Sequence, residues 1–248
     1  MKYEGKIYSS NRFGDVVVLE YINGGRALIQ FLNTGYIVEE AWSSIRSGYI
    51  KDRSIPSTCG FGFIDVEGAS IGKIMTKEYR LWHNMLNRCY NEKSLMNNPT
   101  YANCNVDDKW KYLSAFKEWC NEQIGFEQDG WHLDKDLLLK GNKTYSPDNC
   151  CFVPHDINTF LTNGKSYRGD LPVGVILDKG AKTPRYRARL SKFGKYHCYG
   201  SYSNPTDAFY AYKKAKEDFA KELANIWKDK IDPRAYEALI NWTVEITD

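Results

Sequence analysis

Residues 131–162, WHLDKDLLLKGNKTYSPDNCCFVPHDINTFLT, constrain the fold more than any other stretch of the chain. Trp131–Asp136 has the composition of a short strand, Leu137–Asp148 is a polar loop containing a glycine, and Cys150–Val153 is a second strand run. Pro154 then suits the first turn of a helix, where its missing N–H leaves no hydrogen bond unmade. On that helix His155 and Asn158 fall at i and i+3 and so share a face. Asp134 and Asp136 are two apart, and on one strand both would face the same side.

This strand–loop–strand–helix layout resembles the ββα-metal motif of the HNH nucleases, in the form carried by phage homing endonucleases. The matching residues are Asp134-Lys135 ending the first strand, Asn149-Cys150 opening the second, and Asn158 one turn into the helix. The string YSPDNC at 145–150 is also similar. The resemblance implies a metal-dependent DNA endonuclease with Mg²⁺ or Mn²⁺ held by Asp134, Asp136 and Asn158. Hard divalent cations take oxygen ligands of this kind, and they stabilise the charge that develops during phosphodiester hydrolysis. Asn149 would hold the hairpin by side-chain hydrogen bonds to the loop backbone. The chain departs from the family at the general base, where its histidine is replaced by Lys135. A lysine acts as a base only when burial or a cationic neighbour lowers its pKa, whereas acidic neighbours push the other way. His132 and His155 are the alternative bases. A non-catalytic DNA-binding or regulatory protein on an HNH scaffold is the second reading.

Residues 171–223 carry three strand runs, Pro172–Leu177, Tyr186–Ser191 and Tyr196–Tyr202, and then a helix that starts at Asn204-Pro205. Ala208, Tyr212, Ala215 and Phe219 form its expected buried stripe. Gly174-Val175, Tyr186-Arg187-Ala188, Gly200-Ser201-Tyr202 and Ala208–Tyr212 resemble the Apetala-type DNA-binding domain of plant ethylene-response factors. The resemblance implies a sheet that enters the major groove with the helix behind it. Alternation puts Tyr186, Ala188 and Leu190 against the helix and turns Arg187 and Arg189 outward. Arg185, Arg187, Arg189, Lys192, Lys195 and Tyr196 are the expected DNA contacts, since arginine reads guanine and lysine holds phosphate. The net charge is only +3, but the basic residues concentrate locally. Between 164 and 198, Lys165, Arg168, Lys179 and Lys182 extend the patch, and only Asp170 and Asp178 oppose it.

Asp15–Tyr21, Arg26–Phe31 and Tyr36–Val38 read as strands joined by the Asn23-Gly24-Gly25 and Asn33-Thr34-Gly35 turns, which suggests a small barrel able to receive a protein partner. Residues 55–73 read as a linker or ordered loop. Tyr79, Trp82, Met85, Leu86 and Cys89 share one helical face, and Trp110, Leu113, Phe116 and Cys120 share another. His83 falls away from the first stripe and reads as a surface residue. The seven cysteines contain no CxxC pair, so structural zinc is disfavoured. No signal peptide or membrane span is recognisable, and the expected location is the cytoplasm, that of a bacterial host for a phage protein. The expected class is α+β: an N-terminal small β-barrel over 1–58, a central ββα-metal (HNH-like) domain with flanking helices over 59–165, a C-terminal three-stranded sheet plus helix over 166–230, and an extension over 231–248. The expected partner is double-stranded DNA, with no membrane contact.

Overall fold

The computed structural model describes residues 3–71, 74–162, 169–180, 183 and 185–248. It is a mixed α+β fold in two compact units, residues 1–102 with 106–117, and residues 103–105 with 118–248. No helix among the described residues is long and apolar enough to cross a membrane.

The first unit opens with β1 (Ile7–Ser10), β2 (Gly14–Ile22), β3 (Arg26–Phe31) and β4 (Ile37–Ala41), an antiparallel meander in that spatial order. The expected barrel does not close: β1 and β4 are the two edges. The reason lies just after β4. Helix α1 (Trp42–Ser47) begins there, and Ile45 and Ile50 join Val16, Val18, Ala27, Ile29 and Phe31 in the core. A helix and a loop therefore cover the apolar face that a closing strand would have covered.

Strands β5 (Ser70–Ile71) and β6 (Ile74–Met75) form a minimal ribbon ahead of α2 (Lys77–Tyr90) and α3 (Glu92–Asn97). The Thr76 hydroxyl caps α2 by accepting from the Tyr79 amide at 3.3 Å. Most of the expected stripe is inside: Trp82, Met85, Leu86 and Cys89 are buried, Tyr79 is half-buried, and the Trp82 indole donates to the Trp110 carbonyl at 2.7 Å. Residues 55–63 are an ordered loop. Gly62 lies against Trp82 and Leu86 so closely that a Cβ there would stand 2.4 Å from the leucine.

The second unit contains the end of α4 (Leu113–Glu122), which follows β7 (Asn105–Val106), and then β8 (His132–Asp134), β9 (Thr144–Tyr145), β10 (Cys151–Val153) and α5 (His155–Leu161). Strands β11 (Val175–Asp178), β12 (Arg185–Lys192) and β13 (Lys195–Tyr202) form an antiparallel sheet backed by α6 (Pro205–Trp227), and α7 (Pro233–Ile240) follows. The expected stripe on α6 is buried, and Asn204 caps the helix by accepting from the Asp207 amide.

One hydrophobic cluster joins Leu137, Cys151, Val153, Ile157 and Phe160 to Val175, Ala188, Leu190 and the α6 stripe, and continues through Ile231, Ala235, Leu239 and Val244. The boundaries expected at 165/166 and 230/231 therefore do not separate independent cores. The tail beyond α7 is tied down: Lys140 donates to the Thr243 carbonyl at 3.1 Å, and Lys213 donates to the Val244 carbonyl.

Candidate nucleic-acid interface and the hairpin beside it

The hairpin strands pair antiparallel, with Asp134 opposite Cys151 and His132 opposite Val153. Opposed residues point to the same side. Cys151 and Val153 face the core that holds α5, so His132 and Asp134 share that side. Phe152 faces the other way, towards Trp119 and Phe126, with ring centroids at 5.6 and 5.5 Å. The His132 and His155 rings lie 5.7 Å apart. The structure thus brings Asp134, His132 and the start of α5 together, and His155 is exposed there.

It does not do so for Asp136. Strand β8 ends at Asp134, and the alternation that would have aligned the two carboxylates ends with it. Asp134 Oδ1 accepts from the Asp136 and Leu137 amides at 2.8 and 2.7 Å, which folds the backbone into a turn. The Asp136 carboxylate is paired with the Lys135 ammonium at 2.6 Å. Lys135 is 6% exposed and also donates to the Asn142 carbonyl at 2.9 Å. Both contacts run through its Nζ, so Lys135 pegs the loop to Asp136 and Asn142.

Asn142, which the sequence reading did not single out, is the centre of that loop. Its Nδ2 donates to the Lys135 and Thr144 carbonyls at 2.8 and 2.7 Å, and its Oδ1 accepts from the Thr144 amide at 3.0 Å. Asn149, expected to hold the hairpin, contributes its amide to Ser146 Oγ at 3.2 Å and a long 3.5 Å contact to Asn142. The legible signal was the Gly141-Asn142 pair, a turn signature inside a loop read only as polar. Asn142→Ala would remove the side-chain partner of one buried and one part-buried carbonyl and of the Thr144 amide, and we expect a loss of about 2 kcal/mol in urea denaturation.

Burial pushes the Asp134 carboxyl above the ordinary aspartate range, against the lowering effect of the two amides it accepts. Burial likewise raises the Cys150 thiol to about 12 and the Cys151 thiol further still, so neither offers a thiolate near neutrality. A hard divalent cation does not fit the expected set. Asp136 is committed to Lys135, one Asp134 oxygen is committed to backbone amides, and half-buried Asn158 is left on α5. Among the described residues no three His, Cys, Asp or Glu side chains gather closely enough to hold a metal, zinc included.

Arg234 adds a second feature that the sequence did not disclose. Held by Asp232 at 2.7 Å, it donates to the Asp148 and Cys150 carbonyls at 3.1 and 3.4 Å, so the C-terminal extension clamps the hairpin.

The β11–β13 sheet follows the expected alternation. Ala188 and Leu190 are buried under α6, while Arg187 and Arg189 are exposed on the far face with half-buried Arg185. Arg189 lies over the Tyr196 ring at 4.2 Å. Arg187 pairs with Asp178 at 2.5 Å, and Arg185 donates to the Ser201 carbonyl at 2.9 Å. A bulge opposite Ala188, where Arg187 pairs with Ser201 and Arg189 with Cys198, contains Gly200 at φ +113°. Lys195 is exposed at the β12–β13 turn. Lys192 is the exception: it has the parity of Ala188 and Leu190, and it turns to α6, where it pairs with Glu222 at 2.8 Å. Lys165, Arg168 and Lys182 lie outside the described residues. Comparisons with protein-family models, with curated proteins and with solved structures gave no match.

Proposed function

We propose that the chain binds double-stranded DNA through the outer face of the β11–β13 sheet, and that the ββα hairpin serves as scaffold rather than as a nuclease centre. The observation that carries this reading is the row of Arg185, Arg187 and Arg189 at alternate positions of one strand, with Tyr196 braced against Arg189. The Apetala-type domain that this segment resembles places such a sheet in the major groove, and arginines so placed reach both phosphates and guanine edges. Asp178 on the same face neutralises Arg187 until phosphate displaces it. The scaffold role is supported by the engagement of Asp136 with Lys135 and by the clamp of Arg234 on the hairpin.

Fluorescence anisotropy with a labelled duplex at several KCl concentrations tests both parts. Affinity should fall steeply with salt, because phosphate contacts release counterions. Arg187→Ala/Arg189→Ala should weaken binding by about tenfold or more per arginine. Lys192→Ala should leave binding unchanged, since that side chain faces the helix. Salt-insensitive binding, or equal loss with Lys192→Ala, would overturn the sheet as the interface. Incubation of supercoiled plasmid with Mg²⁺ or Mn²⁺ should leave it intact. Nicking that EDTA and Asp134→Ala both abolish would restore the nuclease reading.

A further inference from the structure

The first unit contains a cavity of about 450 Å³ between the β1–β2 turn, the segment after α1, the loop at 57–59 and the side of α2. That volume lies in the usual range for small-ligand sites. Two of its walls are fixed by backbone contacts. The Asn11 amide donates to the Gly48 carbonyl at 3.0 Å, the Asn11 side chain donates to the Ser47 carbonyl, and Ser10 Oγ donates to the Ile50 carbonyl at 3.1 Å. Gly48 has φ +74°, and a Cβ on it would meet Asn11 Oδ1 at 2.7 Å, so only glycine allows the two segments to approach this closely. Opposite, Thr58 and Gly62 close a tight turn that holds Cys59 at φ +53°.

The lining combines two cations, Arg12 and Lys51, with the rings of Phe13, Tyr49 and Tyr79, and among the described residues it contains no aspartate or glutamate. The nearest acid in sequence, Asp52, is 1% exposed and accepts from Ser54 and Thr34. Arg12 and Lys51 are both exposed. Burial raises the Cys59 thiol, so it stays protonated and donates to Asn87 Oδ1 at 3.2 Å. Asn87 Nδ2 lies 3.1 Å from His83 Nδ1, a contact that holds the ring through Nδ1 and leaves Nε2 as the ring nitrogen available to a ligand.

We infer that this cavity binds a nucleoside monophosphate, with Arg12 and Lys51 on the phosphate, the tyrosine rings against the base, and His83 Nε2 hydrogen-bonded to it. Phosphate groups pair with cationic side chains, and a base stacks on an aromatic ring regardless of its identity. The site is separate from the β11–β13 sheet and belongs to the other unit of the chain.

Isothermal titration of the full chain with AMP, GMP, CMP and UMP tests it, with adenosine and inorganic phosphate as separate arms. The monophosphates should bind saturably at one site, at least about tenfold tighter than adenosine or phosphate. Arg12→Ala/Lys51→Ala, both at exposed positions, should weaken AMP binding by about 10- to 100-fold, the equivalent of roughly 1.4–2.8 kcal/mol, without changing Tm. Arg187→Ala/Arg189→Ala should leave AMP binding intact while duplex binding falls. Absence of saturable binding, undiminished AMP affinity in the Arg12/Lys51 variant, or phosphate binding as tightly as AMP would each overturn the inference.

Discussion

Gly174→Ala is expected to destabilise the second unit by about 4 kcal/mol or more, lowering Tm by about 10 °C or more in a calorimetric scan. Two effects add. Gly174 has φ +73°, a conformation that costs an L-residue roughly 1–2 kcal/mol. Its missing Cβ would also stand 2.0 Å from the Tyr212 ring, which is 4% exposed in the core beneath the sheet. The ring has no room to retreat, because it is packed among Val175, Ala188 and the other α6 side chains. The backbone cannot retreat either, since the Gly174 carbonyl accepts from the Arg189 amide at 2.7 Å. Gly194→Ala separates the two effects. It has φ +76°, but nothing lies within 4 Å of its added Cβ, so it should cost only the conformational part. Equal losses for the two variants would mean that the close approach at Gly174 contributes nothing. Arg189 is an expected DNA contact hung on this same backbone bond, so a folded remnant of Gly174→Ala should also bind duplex more weakly.

Gly174-Val175 shows why the C-terminal sheet was legible. Strand alternation fixes which side each residue faces without reference to distant parts of the chain, and the expected inward and outward sets of β12 both stand. It was misapplied once, at Lys192, which shares the parity of Ala188 and Leu190 and was nonetheless grouped with the outward arginines. The helical stripe at Trp82 was legible for the same local reason, but the one at Trp110 was not a single face: Trp110 is buried from a short 3-10 turn (Asp108–Lys111), and the extended Tyr112 separates it from Leu113, Phe116 and Cys120 on α4. What the sequence concealed depends on contacts across long separations. The N-terminal strands announce themselves by turns and alternation, but whether they close is decided by where Ile45 and Ile50 pack, and helix α1 was not foreseen. Asp136 illustrates the cost of extending a strand by two residues: the carboxylate leaves the face of Asp134 and meets Lys135 instead. Arg234 reaches the hairpin over more than 80 positions, and no spacing rule detects such a clamp. The Cys59–Asn87–His83 chain is hidden likewise, because its cysteine lies in a glycine-rich loop whose local sequence signals only irregular backbone.

Lys216→Met is expected to raise stability by about 2 kcal/mol at pH 7 and to lose that advantage as pH rises. Lys216 is 6% exposed on α6, its ammonium 4.0 Å from the Phe160 ring centroid, where it donates to the Phe160 carbonyl. Burial pulls its pKa down from 10.5 to about 8. The folded chain therefore binds this proton less tightly than the unfolded chain. Below about pH 8 both states are charged and the fold bears the full penalty, roughly 3 kcal/mol for a shift of this size. Between about 8 and 10.5 the unfolded state retains a proton that the folded state has released, so stability rises with pH there. Above 10.5 both are neutral and the penalty is gone. Methionine removes the charge but also the hydrogen bond to Phe160, which returns about 1 kcal/mol. The variant should accordingly be the more stable protein at pH 7, the two should draw level near pH 9–10, and the wild type should lead slightly beyond. Urea denaturation of both proteins at each pH gives the difference directly. Titrations common to both cancel in it, including the Cys150 and Cys151 thiols, whose raised pKa values make the fold lose stability as pH rises above that of an ordinary thiol. A difference constant from pH 7 to 10.5 would show that Lys216 keeps its proton throughout, held by the Phe160 ring and carbonyl strongly enough to offset its burial.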